Sequence, residues 1–173
     1  VTGTGGLGLE TALMLARAGC EVIIAGRNPQ KGADAISCIQ RAVPQAAVRF
    51  EILDLADLSS VVSFSPRMND AREGLDLLVH NAGLLLPPTR QGTRDGFEAQ
   101  LGTNYLGHFA LTAHLMHLLS NGTDARIVNV SSVAARAGRI NFDDINSEKH
   151  YRPMEAYSQS KLACLMFALE LQR

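Results

Sequence analysis

Tyr157 and Lys161 stand four residues apart in Ala156-Tyr157-Ser158-Gln159-Ser160-Lys161. On a helix that spacing puts both side chains on one face, a turn apart. A phenol is a poor base at neutral pH, because its ordinary pKa is about 10. A fixed ammonium beside it favours the phenolate and draws that value down. Such a pair can take a proton from an alcohol, or return one to a carbonyl, near pH 7. The same spacing also arises by chance on solvated helix faces, so the reading depends on what lies upstream.

The elements that must position the pair begin at the first residue. Val1-Thr2-Gly3-Thr4-Gly5-Gly6-Leu7-Gly8 reads as a strand end, a glycine turn and a helix start. Leu9, Ala12, Leu13 and Ala16 then recur at helical spacing and Gly19 closes the helix. Glu21 to Gly26 is a short β-rich run, so the order is strand, glycine turn, helix, strand, the start of a dinucleotide-binding βαβ unit. Glycine suits that turn because backbone must approach a pyrophosphate at a helix N-terminus whose N–H groups are unpaired. Arg27 follows the second strand, where an acid would suit the ribose of NAD and an arginine suits a 2′-phosphate. Lys31 can assist.

Asn28 and Pro29 open the next helix, with Ala33, Ile36 and Val43 on its inner face. Residues 48–54 alternate into a third strand ending at Asp54, which either accepts from an adenine amino group or serves the loop. Asp57 starts a helix that Pro66 should kink or end. Leu75 to His80 is a fourth strand running into Asn81-Ala82-Gly83, where small residues let a ligand lie against the backbone. A long helix is expected from Asp95 through Ser120. Gly102, Asn104 and Gly107 should distort it locally, which can free a carbonyl for a water or merely allow close packing. Arg126 to Val130 forms the fifth strand, ending in Ser131 and Ser132 on the same side as the glycine turn. The last helix starts near Met154. The architecture is an α/β doubly wound parallel sheet, a Rossmann fold, in one domain over 1–173.

Composition agrees with a globular chain: 173 residues, 46% hydrophobic, formal net charge −1. No basic excess points to nucleic acid. Residues 99–123 lack Asp, Glu, Lys and Arg, yet Gln100, Asn104 and three histidines make a membrane span a poor reading beside a buried helix. Cys20, Cys38 and Cys164 form no metal spacing or even disulfide set, which suits a cytoplasmic setting. His108, His114 and His117 read as satisfied or exposed histidines, Cys164 as a small buried hydrophobe. Asp143 and Asp144 either shape a substrate mouth or lie in a solvated loop. The apolar stretch Leu84 to Pro88 favours a lipophilic alcohol or carbonyl substrate, and self-association through Leu162, Leu165, Met166 and Leu169 stays open.

Together these pieces resemble the short-chain dehydrogenase/reductase family over essentially the whole chain. The carrying residues are Thr2-Gly3 to Gly8, His80-Asn81-Ala82-Gly83, Asn104, Val130-Ser131-Ser132, and Tyr157 with Lys161. Gly102-Thr103-Asn104-Tyr105-Leu106-Gly107-His108-Phe109 and Arg27 look most like the retinol-dehydrogenase-like branch. The resemblance implies Tyr157 as general acid/base, Lys161 tuning it and binding the nicotinamide ribose, Ser132 rather than Ser131 holding the substrate oxygen, and Asn104 keeping a water in the proton relay. It implies Gly3, Gly6, Leu7 and Gly8 along the pyrophosphate, Asp54 and Leu55 near the adenine, and Asn81, Ala82 and Gly83 on the adenine-ribose side. The cofactor is then NADP, with NAD as the alternative, and the reaction a hydride transfer between nicotinamide and an alcohol or carbonyl carbon. The chain departs from the family pattern in three places. Its glycine turn is one residue short, His80 stands where Asn is commoner, and it stops at Arg173 within the Tyr157 helix. It therefore reads as a fragment, incomplete at both ends and without its substrate-covering part. The rival readings are a sugar-nucleotide epimerase or dehydratase of the same superfamily, and a non-catalytic nucleotide-binding protein.

Overall fold

Val1, Thr2 and Gly3 form an extended stub that joins two pairs of parallel strands. The computed structural model describes residues 1–71 and 73–173. β1 (Val22–Gly26) pairs in parallel with β2 (Val48–Ile52), Val22 opposite Val48. β3 (Leu77–His80) pairs in parallel with β4 (Arg126–Asn129), His80 opposite Asn129. The stub lies between them: Ala25 N–H donates to the Val1 carbonyl (2.9 Å), Gly3 N–H to the Ala25 carbonyl (2.8 Å) and Thr2 N–H to the Val79 carbonyl (3.0 Å). The order is thus β2–β1–stub–β3–β4, and it reverses direction at the stub, where ligands of open parallel sheets bind.

Helices cover both faces. α1 (Gly6–Arg17) and α2 (Pro29–Ala42) bury Ala12, Ala16, Ala35 and Ile39 against Val22 and Ile24. On the other face α3 (Leu58–Ala71) and α5 (Gly107–Asn121) enclose Leu53, Leu55, Val61, Phe64, Met68, Leu78, Leu111, Leu115 and Leu118. A one-turn α4 (Ala99–Leu101) runs through a π-helical turn at Gly102–Leu106 into α5, and α6 (Pro153–Gln172) packs on that turn and on β4. Among the described residues no helix is long and apolar enough to cross a membrane.

Several expectations hold, including the Asn28 cap on Lys31 N–H (3.0 Å), the Asp57 cap of α3 and the distortion around Asn104. Others need correction. On α2 the buried residues are Gly32, Ala35 and Ile39, while Ala33 is exposed; the helix is rotated so that the Phe50 ring lies directly over Gly32. The long helix starts at Ala99 rather than Asp95, because Gly96 adopts φ 87° and the Glu98 carboxylate caps the Gln100 and Leu101 N–H groups (3.0 and 2.8 Å). Asp95 instead accepts from Leu58 N–H at the start of α3 (2.9 Å). Leu165, Met166 and Leu169 remain exposed on α6, so core packing does not use them.

Pro66 neither ends nor bounds α3, which runs through it. Its missing N–H leaves the Val62 carbonyl on an exposed turn that water can reach, while the Arg67 guanidinium takes the next carbonyl, Ser63 (2.6 Å). The proline is thus tolerated at a cost. Pro66→Ala is expected to stabilise the fold by about 2–3 kcal/mol, read as a higher urea midpoint; an unchanged or lower midpoint would show that α3 is already kinked to suit the proline.

Candidate active site

α6 begins on Pro153, whose fixed φ suits a first helical turn, and carries Tyr157 and Lys161 one turn apart. Tyr157 is half-buried and Lys161 is 6% exposed. A buried ammonium needs acceptors, and Lys161 Nζ donates to the Val130 carbonyl just beyond β4 (2.9 Å). It lies 5.9 Å from the centre of the Tyr157 ring. The two serines at the end of β4 separate by use. Ser131 Oγ donates to the Lys161 carbonyl (2.7 Å) and so ties the strand to α6. Ser132 Oγ accepts from Ala134 N–H (3.2 Å), capping a 3₁₀ turn at Val133–Ala137. Its own proton has no acceptor among the described residues.

Asn104 sits inside the π turn and is 1% exposed. Its side chain accepts from Leu84 N–H (2.7 Å) and donates to the Leu84 carbonyl (3.1 Å) and to Ser160 Oγ (2.9 Å). The Asn104 carbonyl lies within the π turn at Gly102–Leu106. His108 Nδ1 (2.9 Å) and Cys164 Sγ (3.2 Å) both lie on it and fill its two lone pairs. Asn104 thus holds the Leu84 backbone and the α6 turn beside Lys161.

At the other half of the site, Gly3 adopts φ 97° and Gly6 φ 51°, and α1 starts at Gly6 behind Gly5, which has no side chain to cap it. The first N–H groups of α1 are therefore left for an anion or solvent. Leu7, 72% exposed, stands at that start. The shortened turn still closes around Asn81. A Cβ at Gly3 would come 2.9 Å from Asn81 Nδ2, one at Gly8 would collide with the same atom, and Nδ2 donates to the Thr2 carbonyl (2.9 Å). Asn81 therefore braces the glycine turn from beneath. Gly83 lies at the opposite end of its segment: a Cβ there would be 3.2 Å from Asn104 Oδ1 and 3.7 Å from Lys161 Nζ. Asn81-Ala82-Gly83 thus runs from the glycine turn to the lysine.

Arg27 is exposed at the end of β1 with no partner among the described residues. Asp54 is half-buried and accepts from Ala56 N–H (3.0 Å), its second oxygen having no partner among the described residues, whereas the Leu55 side chain is core and offers a ligand only its backbone. Asp144 accepts from the N–H groups of Glu148, Lys149 and His150 and so organises the loop before α6. An uncapped helix start, two glycines that admit no Cβ and a lysine beside Gly83 fit a dinucleotide laid across the strand ends.

His80 and His108 form a buried histidine stack, ring centres 4.6 Å apart. His80 Nδ1 meets Asn129 Oδ1 (2.8 Å) and Nε2 meets Thr112 Oγ1 (3.3 Å). Burial pushes His80 down to about 4 and His108, with His80 as a further cause, down to about 3. His114 and His117 are exposed. Among the described residues no cluster of His, Cys, Asp or Glu is placed to hold a metal ion.

Three residues of the site were not expected from sequence. Thr2 is 2% exposed, and its hydroxyl accepts from Asn81 and Ala82 N–H (both 3.0 Å). Ser160 relays Asn104 to the Tyr157 carbonyl (2.8 Å). Gln100, fully buried, accepts from Leu86 N–H (2.8 Å) and donates to the Pro153 carbonyl (3.0 Å), fastening the apolar loop to the start of α6. A polar residue amid the uncharged run 99–123 was the available signal for Gln100.

The family model for short chain dehydrogenases matches residues 1–173. Human polyprenol dehydrogenase is 43% identical over 175 residues, which cover 99% of this chain and 53% of that protein. Mouse retinol dehydrogenase 13 is 44% identical over 173 residues, 99% and 52% respectively. A solved structure of an uncharacterised protein from Mycobacterium Paratuberculosis superposes with TM-score 0.87 at 46% identity, over 99% of this chain and 60% of that one. A short chain dehydrogenase from Shigella flexneri, solved with NADP, superposes with TM-score 0.78 at 28% identity, over 99% and 68%. The chain spans about half the length of the curated relatives it matches.

The stacked histidines make stability depend on pH. Both stay neutral when folded, while an unfolded histidine takes its proton near its ordinary value of 6.5. Their contribution is complete above that value and is lost as pH falls towards about 4. The slope in this window is up to about 1.4 kcal/mol per pH unit for each ring. Urea midpoints measured from pH 7 to pH 4.5 should fall accordingly, and His80→Asn should remove one proton from the slope. An unaltered slope in that variant would rule out His80 as one of the titrating groups.

Proposed function

The chain belongs to the short-chain dehydrogenase family, and from that premise we propose that residues 1–173 form the NADP(H)-binding and catalytic domain of an oxidoreductase interconverting a lipophilic alcohol and its carbonyl compound. The observation that carries this reading is the convergence at one sheet edge of the uncapped α1 start, Gly83 and the Tyr157–Lys161 pair. When bound, NADP(H) supplies the hydride donor or acceptor. Tyr157 gives its phenol proton to the substrate oxygen in reduction and takes one back in oxidation. Lys161 keeps a positive charge beside the phenol while tethered to Val130, and its remaining N–H groups serve the ribose hydroxyls. Ser132 donates its hydroxyl proton to the same substrate oxygen and orients it. Asn104 acts as a positioning residue through Ser160 and Leu84.

Arg27, exposed and unpartnered among the described residues, suits a 2′-phosphate. The bound cofactors of the similar Shigella flexneri and Escherichia coli structures, NADP and NADPH, support the same choice. The loop of Leu84, Leu85 and Leu86 offers an apolar wall, and relatives named for polyprenol and retinol support a long apolar alcohol. Three free thiols suit the reducing cytosolic side of the cell.

Titration with NADPH and NADH, followed by nicotinamide fluorescence, tests the cofactor. Arg27→Ala should weaken NADPH about 10-fold or more, the worth of a charge-assisted pair, and leave NADH within about twofold. Tyr157→Phe should bind NADPH as before but reduce retinal at least about 100-fold more slowly. Equal loss of both cofactors, or an active phenylalanine variant, would overturn the respective half of the reading.

A further inference from the structure

His108 lies where the two halves of the site meet. Its ring is 3% exposed, and each nitrogen has a different partner. Nδ1 faces the Asn104 carbonyl at 2.9 Å. A carbonyl only accepts, so Nδ1 carries the proton of the neutral ring and Nε2 must accept. The donor available to Nε2 is the Thr2 hydroxyl at 2.9 Å. That hydroxyl has one proton, and its other acceptor, the Val79 carbonyl, is farther at 3.3 Å and already bonded to Thr2 N–H. Both lone pairs of Thr2 Oγ1 are filled by the N–H groups of Asn81 and Ala82. A proton on Nε2 would therefore find no acceptor, and the ring is held in a single tautomer by geometry as well as by burial.

The chain of bonds is continuous in both directions. Thr2 leads directly into Gly3 and the uncapped start of α1, and its carbonyl holds the Asn81 amide beneath Gly3 and Gly8. Asn104 holds Leu84 N–H and, through Ser160, the turn of α6 that presents Tyr157 and Lys161. We propose that His108 is a positioning residue that couples the glycine turn to the Asn104–Lys161 half of the site, each ring nitrogen holding one half in register with the other. The inference rests on the NADP(H) reading of the preceding subsection. It assigns His108 no contact with substrate or cofactor. His80, stacked on the same ring, limits its tilt, and the two hydrogen bonds resist rotation within the ring plane.

The test separates the two bonds. Asparagine can replace the Nδ1 donor but cannot reach Thr2; glutamine can reach Thr2 but leaves the Asn104 carbonyl without that donor. In protein labelled with ¹⁵N-histidine, addition of NADPH should move the His108 Nε2 resonance of the unaltered chain. His108→Asn should raise the Kd for NADPH about fivefold, the worth of one ordinary hydrogen bond, with the Leu84 amide still protected from hydrogen exchange. His108→Gln should leave that Kd within about twofold and speed exchange of the Leu84 amide, which Asn104 Oδ1 holds. A residue that merely fills the core would move both readouts together in both variants. That outcome, or an Nε2 resonance unmoved by NADPH that does bind, overturns the proposal. If the unaltered chain binds no NADPH, the cofactor reading fails on its own. The Leu84 exchange rates then still decide whether Nδ1 supports Asn104, and unchanged protection in His108→Gln overturns the coupling there.

Discussion

The Thr2 hydroxyl, buried at the middle of the sheet, is the constraint on which the other features of the site depend. It receives N–H groups from Asn81 and Ala82 and gives its proton to His108. The main chain of the same residue bonds β3, and its neighbours bond β1. One oxygen therefore fixes where the glycine turn leaves the sheet, where the segment after β3 bends, and where α5 lies across that face. An unpaired group at this depth would cost about 1–3 kcal/mol, so the partners are held together by what it would cost to separate them.

Close backbone approach does comparable work on a shorter scale. Asn81 can brace the glycine turn only because Gly3 and Gly8 have no Cβ to displace its amide. Gly107 lets α5 press on the Leu55 backbone, and Gly83 lets the chain pass Asn104 and Lys161. The π turn belongs to the same set of fits. It supplies a carbonyl that two side chains from different helices, His108 and Cys164, can share, and it draws α6 against α5 at the height of Lys161. The resulting interior is polar yet nearly saturated: among the described residues only Arg49 Nε is buried without a partner. Rigidity here follows from completeness, because a satisfied network in a low-dielectric interior has few alternative arrangements of similar energy.

His80 illustrates how such a network absorbs an unusual residue. A histidine pointing into the sheet's covering layer would be costly if charged, and burial keeps it neutral. Asn129, its register partner across the β3–β4 pair, and Thr112 from α5 give its two nitrogens partners, and the His108 ring gives its face one. The substitution thus remains compatible with the fold through local hydrogen bonding, without access to the catalytic face.

The strand and helix order, the parallel sheet and the pairing of Tyr157 with Lys161 were legible in the chain itself, because period, capping and glycine placement are local properties. Asn28 and Asp57 mark helix starts in sequence and in structure alike. Contacts between distant segments were not legible. Asp95 has the chemistry of a cap and is one, but for α3, and only the turn at Gly96 determines that. Pro66 reads as a break, yet packing on the buried side of α3 outweighs the local penalty. Ser131 and Ser132 are indistinguishable by position until α6 engages one of them. Thr2, His108 and Ser160 belong to the site through bonds spanning up to 106 residues, and no local pattern encodes these. The sequence alone determined which residue types could do the chemistry and which elements would carry them. Tertiary structure decided which lone pairs and protons remain free to do it, because that depends on partners brought together only when the sheet closes around residues 1–3.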